Sequence, residues 1–193
     1  MTDARIVRTR ASLRSAILEL ASQKPVTEIT VSELAAAADI NRVTFYKHYA
    51  SPAEALGEAL QSELDLTREA VLARQEEGSC NSPDALVHGL DLILEHVSRH
   101  HRLYELSVSA KDDGAVPWAL SEHFAATIKM FLEKRAADLH CTGDYDIDIV
   151  SGFFGAGLVG AVYTWLQSGE TDTTVLVASV TRILPDWWFP QKD

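Results

Sequence analysis

The sequence predicts an all-α protein: an N-terminal three-helix helix-turn-helix domain followed by a larger helical domain. Three observations lead there. Apolar residues recur at the three-and-four spacing of helical faces along nearly the whole chain, without strand-like alternation. N-cap residues and capping boxes stand just ahead of several of those faces. Two capped segments near the N-terminus are short and are joined by a three-residue turn, the spacing of a helix-turn-helix.

Residues 5–22 set Ile6, Leu13, Ile17, Leu20 and Ala21 on one face, and Lys24-Pro25 stops that helix. Thr30-Val31-Ser32-Glu33 is a capping box, with Ile29 and Leu34 placed as a hydrophobic staple. The second helix ends near Asp39-Ile40, because Asp tolerates the left-handed conformation of a tight turn. Asn41 is a preferred N-cap, so 42–49 reads as a third helix. Ser51-Pro52-Ala53-Glu54 repeats the capping logic, with Pro in the first helical position, and opens a long fourth helix over 51–77. Gly78 to Pro83 break it. Further helices are predicted over about 84–98, 101–110, from Trp118 or Ser121 to Leu139, over 147–167 and over 173–184. Pro185 and the aromatic tail Trp187-Trp188-Phe189 follow. The domains divide as 1–50 and 51–193, with helix 51–77 as connector.

The chain has 193 residues and a net charge of −11, which argues against nucleic-acid binding if the charge is spread evenly. It is not. Residues 1–50 carry seven Lys/Arg against five Asp/Glu, and 51–193 carry ten against twenty-three, a weakly basic head of +2 on a body of −13. Cys80 and Cys141 are too few for a disulfide framework and lack zinc-site spacing. With no signal-peptide pattern and no membrane-spanning run recognised, a cytoplasmic protein with no membrane partner is expected. No Gly-rich phosphate loop follows a strand, and no nucleophile elbow or HExxH occurs, so an enzyme is not expected.

The series Thr30-Val31-x-Glu33-Leu34-Ala35-x-Ala37-Ala38-x-Ile40-Asn41-x-x-Thr44-Phe45-Tyr46-x-His48-Tyr49 resembles the N-terminal DNA-binding domain of the tetracycline-repressor (TetR) family. The resemblance covers about the first fifty-five residues; beyond them only helical architecture and length agree. Four positions depart from the family's habit: Asp39 replaces a usual Gly, Asn41 a common Ser and Val43 a small residue, while Pro52 replaces a Lys that commonly touches a phosphate. The resemblance implies a ligand-responsive repressor that binds a palindromic operator as a homodimer.

In a helix-turn-helix the second helix offers its N-terminal residues to base edges in the major groove, here Arg42, Val43, Thr44 and Lys47 behind the cap Asn41. Arg42 can fork onto guanine, while Val43 and the Thr44 methyl can touch a thymine methyl. By resemblance Thr30, Tyr46 and His48 hold phosphates. Gly152, Ala156 and Gly160 form a stripe that suits close approach of another helix, and the resemblance implies a dimer interface over 147–184. Tyr104, Trp118, Phe124, Phe131, Phe153, Phe154 and Trp165 are candidate linings for a small apolar or aromatic effector; core packing would produce the same pattern. The induction expected is a change in the separation of two heads, transmitted by the fourth helix. No cofactor is expected. The alternatives are a helical interaction module without DNA binding and a metal- or redox-sensing regulator using His88, His96 and His100 or Cys80 and Cys141.

Overall fold

The computed structural model describes residues 4–74, 83–110, 113–139 and 145–184, with side chains except at 71–74, 83–87 and 134–139. The described residues are helical, without a strand: α1 (Ala4–Ala21), a 3-10 turn (Val26–Glu28), α2 (Val31–Ala37), α3 (Arg42–Tyr46), α4 (Pro52–Arg74), α5 (Pro83–Arg99), α6 (His101–Ser109), α7 (Ala115–Leu139), α8 (Ile147–Gln167) and α9 (Thr173–Ile183). The caps account for the starts. Thr30 accepts from the Glu33 amide and Asn41 from the Thr44 amide, opening α2 and α3; Asp146 and Asp172 do the same for α8 and α9.

Two helices differ from their predicted spans. The third ends at Tyr46 rather than Tyr49: the His48 amide reaches the Phe45 carbonyl, three residues back, at 2.8 Å, so the last turn tightens and releases the chain toward Ser51. The seventh begins at Ala115, ahead of the predicted Trp118 or Ser121. The Asp113 carboxylate accepts from the Ala115 amide at 3.1 Å, and Pro117 falls in the first turn, where a missing N–H costs nothing. The 21-residue α8 is long and apolar enough to cross a bilayer by length and composition, a test that an apolar helix of a soluble protein also passes. Within the protein it buries Ser151, Gly155, Val162 and Trp165. Cys80, Cys141 and the aromatic tail lie outside the described residues.

The chain forms two compact units, Met1–Ser62 with His100–Ala119, and Glu63–Arg99 with Leu120–Asp193. The predicted division at 50/51 thus meets a grouping that takes the start of α4, all of α6 and the start of α7 into the first unit. There α1 packs on α2 and α6, and α2 packs on α3. Leu13, Ile17, Leu34 and Phe45 are fully buried, each adding roughly 1.5–3 kcal/mol of apolar burial.

In the second unit α9 packs on α5 and α8. Leu90, Ile93, Leu94 and Val97 of α5 and Leu120, Phe124, Ile128 and Leu132 of α7 are buried, spaced as one helical stripe on each. Helices α7 and α8 meet at Gly155, where a Cβ would stand 3.0 Å from the Ala125 nitrogen and 3.1 Å from the Ser121 carbonyl oxygen. Only glycine fits that approach without a shift.

Candidate nucleic-acid interface

The turn between α2 and α3 is built by backbone chemistry. Asp39 sits at φ 53°, in the left-handed region that its short polar side chain tolerates. The Asp39 amide bonds the Ala36 carbonyl at 3.1 Å and the Ile40 amide bonds the Ala35 carbonyl at 2.9 Å, the paired bonds of a Schellman motif closing α2. Asn41 Oδ1 then accepts from the Thr44 amide at 2.8 Å, so α3 starts immediately.

Phe45 is the pivot of α3. Its ring is fully buried and lies 5.5 Å from Tyr46 and 6.1 Å from Tyr49, centroid to centroid. Burying Phe45 turns Arg42, Val43, Tyr46 and Lys47 outward; Val43 is 69% exposed, an apolar side chain left in water. Thr44 and His48 are half-buried at the edge of this face, and Asn41 is exposed beside it. All the α3 residues proposed from sequence therefore lie on or beside one exposed surface. Arg5 and Thr9 of α1 join Asp39, Asn41 and Thr44 around a polar concavity of about 520 Å³ next to it. Sequence reasoning gave Arg5 and Thr9 no role. Their one-turn spacing on α1 was the available signal, but nothing local marks which neighbour α1 meets.

Thr30 is exposed, yet its hydroxyl is committed. Thr30 Oγ1 donates to Glu33 Oε2 at 2.8 Å and accepts from the Glu33 amide at 3.2 Å, while the Thr30 amide donates to Glu33 Oε2 at 2.9 Å. Lys24 Nζ adds a bond to Glu33 Oε1 at 2.7 Å. The Lys24 bond, and next the Thr30 amide and hydroxyl, hold the Glu33 carboxyl down to about 2.

The junction into α4 is fixed as firmly. Ser51 Oγ caps α4 by accepting from the Glu54 amide, the Glu54 carboxylate reaches back past the cap to accept from the Ala50 amide, and Pro52 stands in the first helical position. Tyr49 donates its hydroxyl to Glu58 Oε1 at 2.9 Å, and Arg10 lies 3.7 Å from the same carboxylate. Burial, and then the Glu58 acceptor, push the Tyr49 phenol up to about 12. Tyr49 thereby ties the segment after α3 to α4 and, through Glu58, to Arg10 of α1.

The residues predicted for dimerisation lie on one exposed side of α8, whereas those predicted for ligand binding are dispersed. Gly152, Ala156 and Gly160 are exposed, and a Cβ at Gly152 or Gly160 would meet nothing within 4 Å. Beside them Ile149 and Phe153 are each 72% exposed. Phe153 and Phe154 border an apolar concavity of about 320 Å³ among α7, α8 and α9, and Phe131 packs against the Ile128–Leu132 cluster. Trp165 donates its indole N–H to the Asp172 carbonyl at 3.3 Å, bracing the α8–α9 turn. Phe124 is buried in the second unit; Tyr104 is buried in the first and Trp118 is exposed there. Of the histidines raised as a sensor, His96 is buried with Nδ1 3.4 Å from Glu63 Oε2.

Known proteins agree with this arrangement. The family described as "Bacterial regulatory proteins, tetR family" matches residues 13–58, from α1 into α4. An uncharacterized HTH-type transcriptional regulator of Bacillus subtilis, YxbF, is 42% identical over 60 residues, 31% of this chain but 16% of that protein's length. In fold, the chain is similar to FadR of Thermus thermophilus, a TetR-family repressor solved with lauroyl-CoA (TM-score 0.72, 19% identity, 95% and 97% of the two chains covered). It is similar also to FadR of Bacillus subtilis, solved with stearoyl-CoA (0.64, 14%, 90% and 96%), and to the regulatory protein TetR of Rhodobacter sphaeroides (0.57, 22%, 89% and 94%). Residues 13–58 thus match the model of the TetR family of bacterial regulatory proteins, and the chain along its length shares the fold of the solved TetR-family regulator from Thermus thermophilus.

Proposed function

We propose that the protein is a ligand-responsive transcriptional repressor that binds a palindromic operator as a homodimer in the cytoplasm. The observation that carries DNA binding is the outward face of α3, where Arg42, Val43, Tyr46 and Lys47 stand exposed on a helix anchored by Phe45. Arg42 and Val43 read bases, Lys47 supplies charge, and Tyr46 and His48 hold phosphates. Thr30 joins them only by turning its hydroxyl proton from Glu33 to a phosphate. Arg5 fits as a further backbone contact.

Homodimerisation is supported by the exposed apolar strip of α8. Ile149, Phe153 and the small residues Gly152, Ala156 and Gly160 leave a flat surface that no described residue covers, the shape a second α8 needs. The concavity bordered by Phe153 and Phe154 then belongs to that interface, and no membrane partner is needed to cover α8. An apolar effector is supported by the fold shared with the lauroyl-CoA and stearoyl-CoA complexes. Helix α4 carries its effect, since it starts directly after the recognition segment and runs on through both units.

The test is gel retardation of duplex DNA. The wild type shifts a selected duplex with an affinity that falls steeply with salt, as phosphate neutralisation requires, and lauroyl-CoA weakens the complex. Failure to shift any duplex at low salt defeats DNA binding; a shift that no acyl compound alters defeats only the effector reading.

A further inference from the structure

Arg68 of α4 is an arginine set into the second unit, its side chain 19% exposed. Three groups hold it. Nε donates to Thr127 Oγ1 at 3.2 Å, and Thr127 in turn donates to the His123 carbonyl at 2.8 Å. Nη2 donates to His123 Nδ1 at 3.3 Å, which fixes the histidine as the neutral tautomer protonated on Nε2. Nη2 also lies 3.0 Å from Asp65 Oδ1. Nη1, with its two N–H groups, makes no hydrogen bond or ion pair among the described residues.

The surroundings make this costly. Leu64 precedes Arg68 by one turn of α4, and Leu120 and Phe124 flank His123 on α7; all are buried. His123 is itself 1% exposed, and burial first, then the Arg68 charge, keep it neutral. Among the described residues its countercharge is one carboxylate, Asp65, which is 51% exposed and weakened by water and salt. A guanidinium fixed in orientation, largely withdrawn from water and with an Nη1 that meets no partner among the described residues is an arrangement that can recognise a carboxylate through two parallel N–H···O bonds.

We infer that Arg68, oriented by Thr127 and His123, is the anchor for a carboxylate-headed apolar effector. The ligand's two oxygens take the Nη1–Nη2 edge and displace Asp65, which returns to water. His123 and Thr127 are positioning residues that keep the edge presented. The inference rests on the reading of the second unit as an effector-binding body. It gives that body the chemical class of its ligand.

The test measures binding to the full-length protein directly, without DNA, by titration calorimetry with octanoate and with 1-octanol. Octanoate binds the wild type more tightly than 1-octanol. Arg68→Gln loses roughly 10- to 100-fold for octanoate and leaves 1-octanol unchanged. Asp65→Asn, a change at an exposed position that folding tolerates, removes the internal competitor and tightens octanoate alone. Equal affinity of the wild type for the two compounds, no octanoate binding up to millimolar concentration, or weakened octanoate binding in Asp65→Asn each overturns the anchor. Operator release plays no part in these readouts. An intact Arg68-dependent octanoate site with an operator complex that octanoate does not disturb would therefore count against the repressor mechanism and not against the anchor.

Discussion

Arg42, Tyr46 and His48 sit within seven positions of one another, yet the physics of the contacts proposed for them differs. A guanidinium that forks onto guanine O6 and N7 discriminates between bases, whereas a phenol or imidazole on a phosphate holds every sequence alike. Arg42→Ala is expected to relax the preference at one operator position at a cost of roughly 1–3 kcal/mol, while His48→Ala weakens specific and random DNA by the same factor. Competition titrations with operator and random duplexes check both; a uniform loss for Arg42→Ala would remove it from base reading. Two other residues predict acid behaviour in separate windows. The Glu33 carboxyl is depressed from 4.5 to about 2, so its stabilisation of the α2 cap is complete above its unfolded value and disappears as pH falls through that range. His123 is lowered from 6.5 to about 3, so the unfolded chain takes up a proton first and stability declines as pH drops below about 6.5. Denaturant midpoints from pH 8 to pH 3 should decline already between pH 7 and pH 5, and His123→Phe should flatten that part. A flat wild-type curve between pH 7 and pH 5 refutes the assignment to His123.

Two glycines of α8 separate the roles that the sequence merges. Gly155 faces backbone atoms of α7 at 3.0–3.1 Å, and those atoms cannot move aside as a flexible side chain would. Gly155→Ala is therefore expected to destabilise the fold by about 1–3 kcal/mol, the cost of overpacking outweighing the gain in helix propensity. Gly160 meets nothing, so Gly160→Ala should be neutral or stabilising by up to about 1 kcal/mol in the isolated chain, and the bulkier Gly160→Leu should lower the mass seen in sedimentation. If Gly155→Ala proves harmless, the close α7–α8 approach is wrong. Sequence reasoning had the stripe Gly152–Ala156–Gly160 because i, i+4 spacing is visible in one dimension. It missed Gly155 because a single glycine acquires meaning only from the helix across from it. Element starts were legible for the same reason: Thr30, Asn41 and Ser51 cap their helices through bonds to residues three positions on. The end of α3 was not, since it depends on how Phe45 and Tyr49 are buried rather than on any breaker. The aromatic residues grouped as one pocket fall into a core, a turn brace and an exposed strip, because aromatic residues at helical spacing look alike until their neighbours are known.

Across the whole molecule, charge and fold assign separate tasks. The excess of basic residues lies in 1–50, with the proposed recognition helix, while the acidic remainder holds the apolar α8 strip and Arg68, the proposed anchor. One α3 touches too few base pairs to define a genomic site, so the proposed homodimer would read two half-sites about one helical turn, ~34–36 Å, apart or a multiple of it. Selection of bound duplexes from a randomised pool by the full-length protein, followed by sequencing, tests this most directly. The account predicts an inverted repeat bound by two chains, with enrichment lost at the same position of both half-sites in Arg42→Ala. Recovery of no enriched sequence, or of a single unrepeated site bound by one chain, would contradict it.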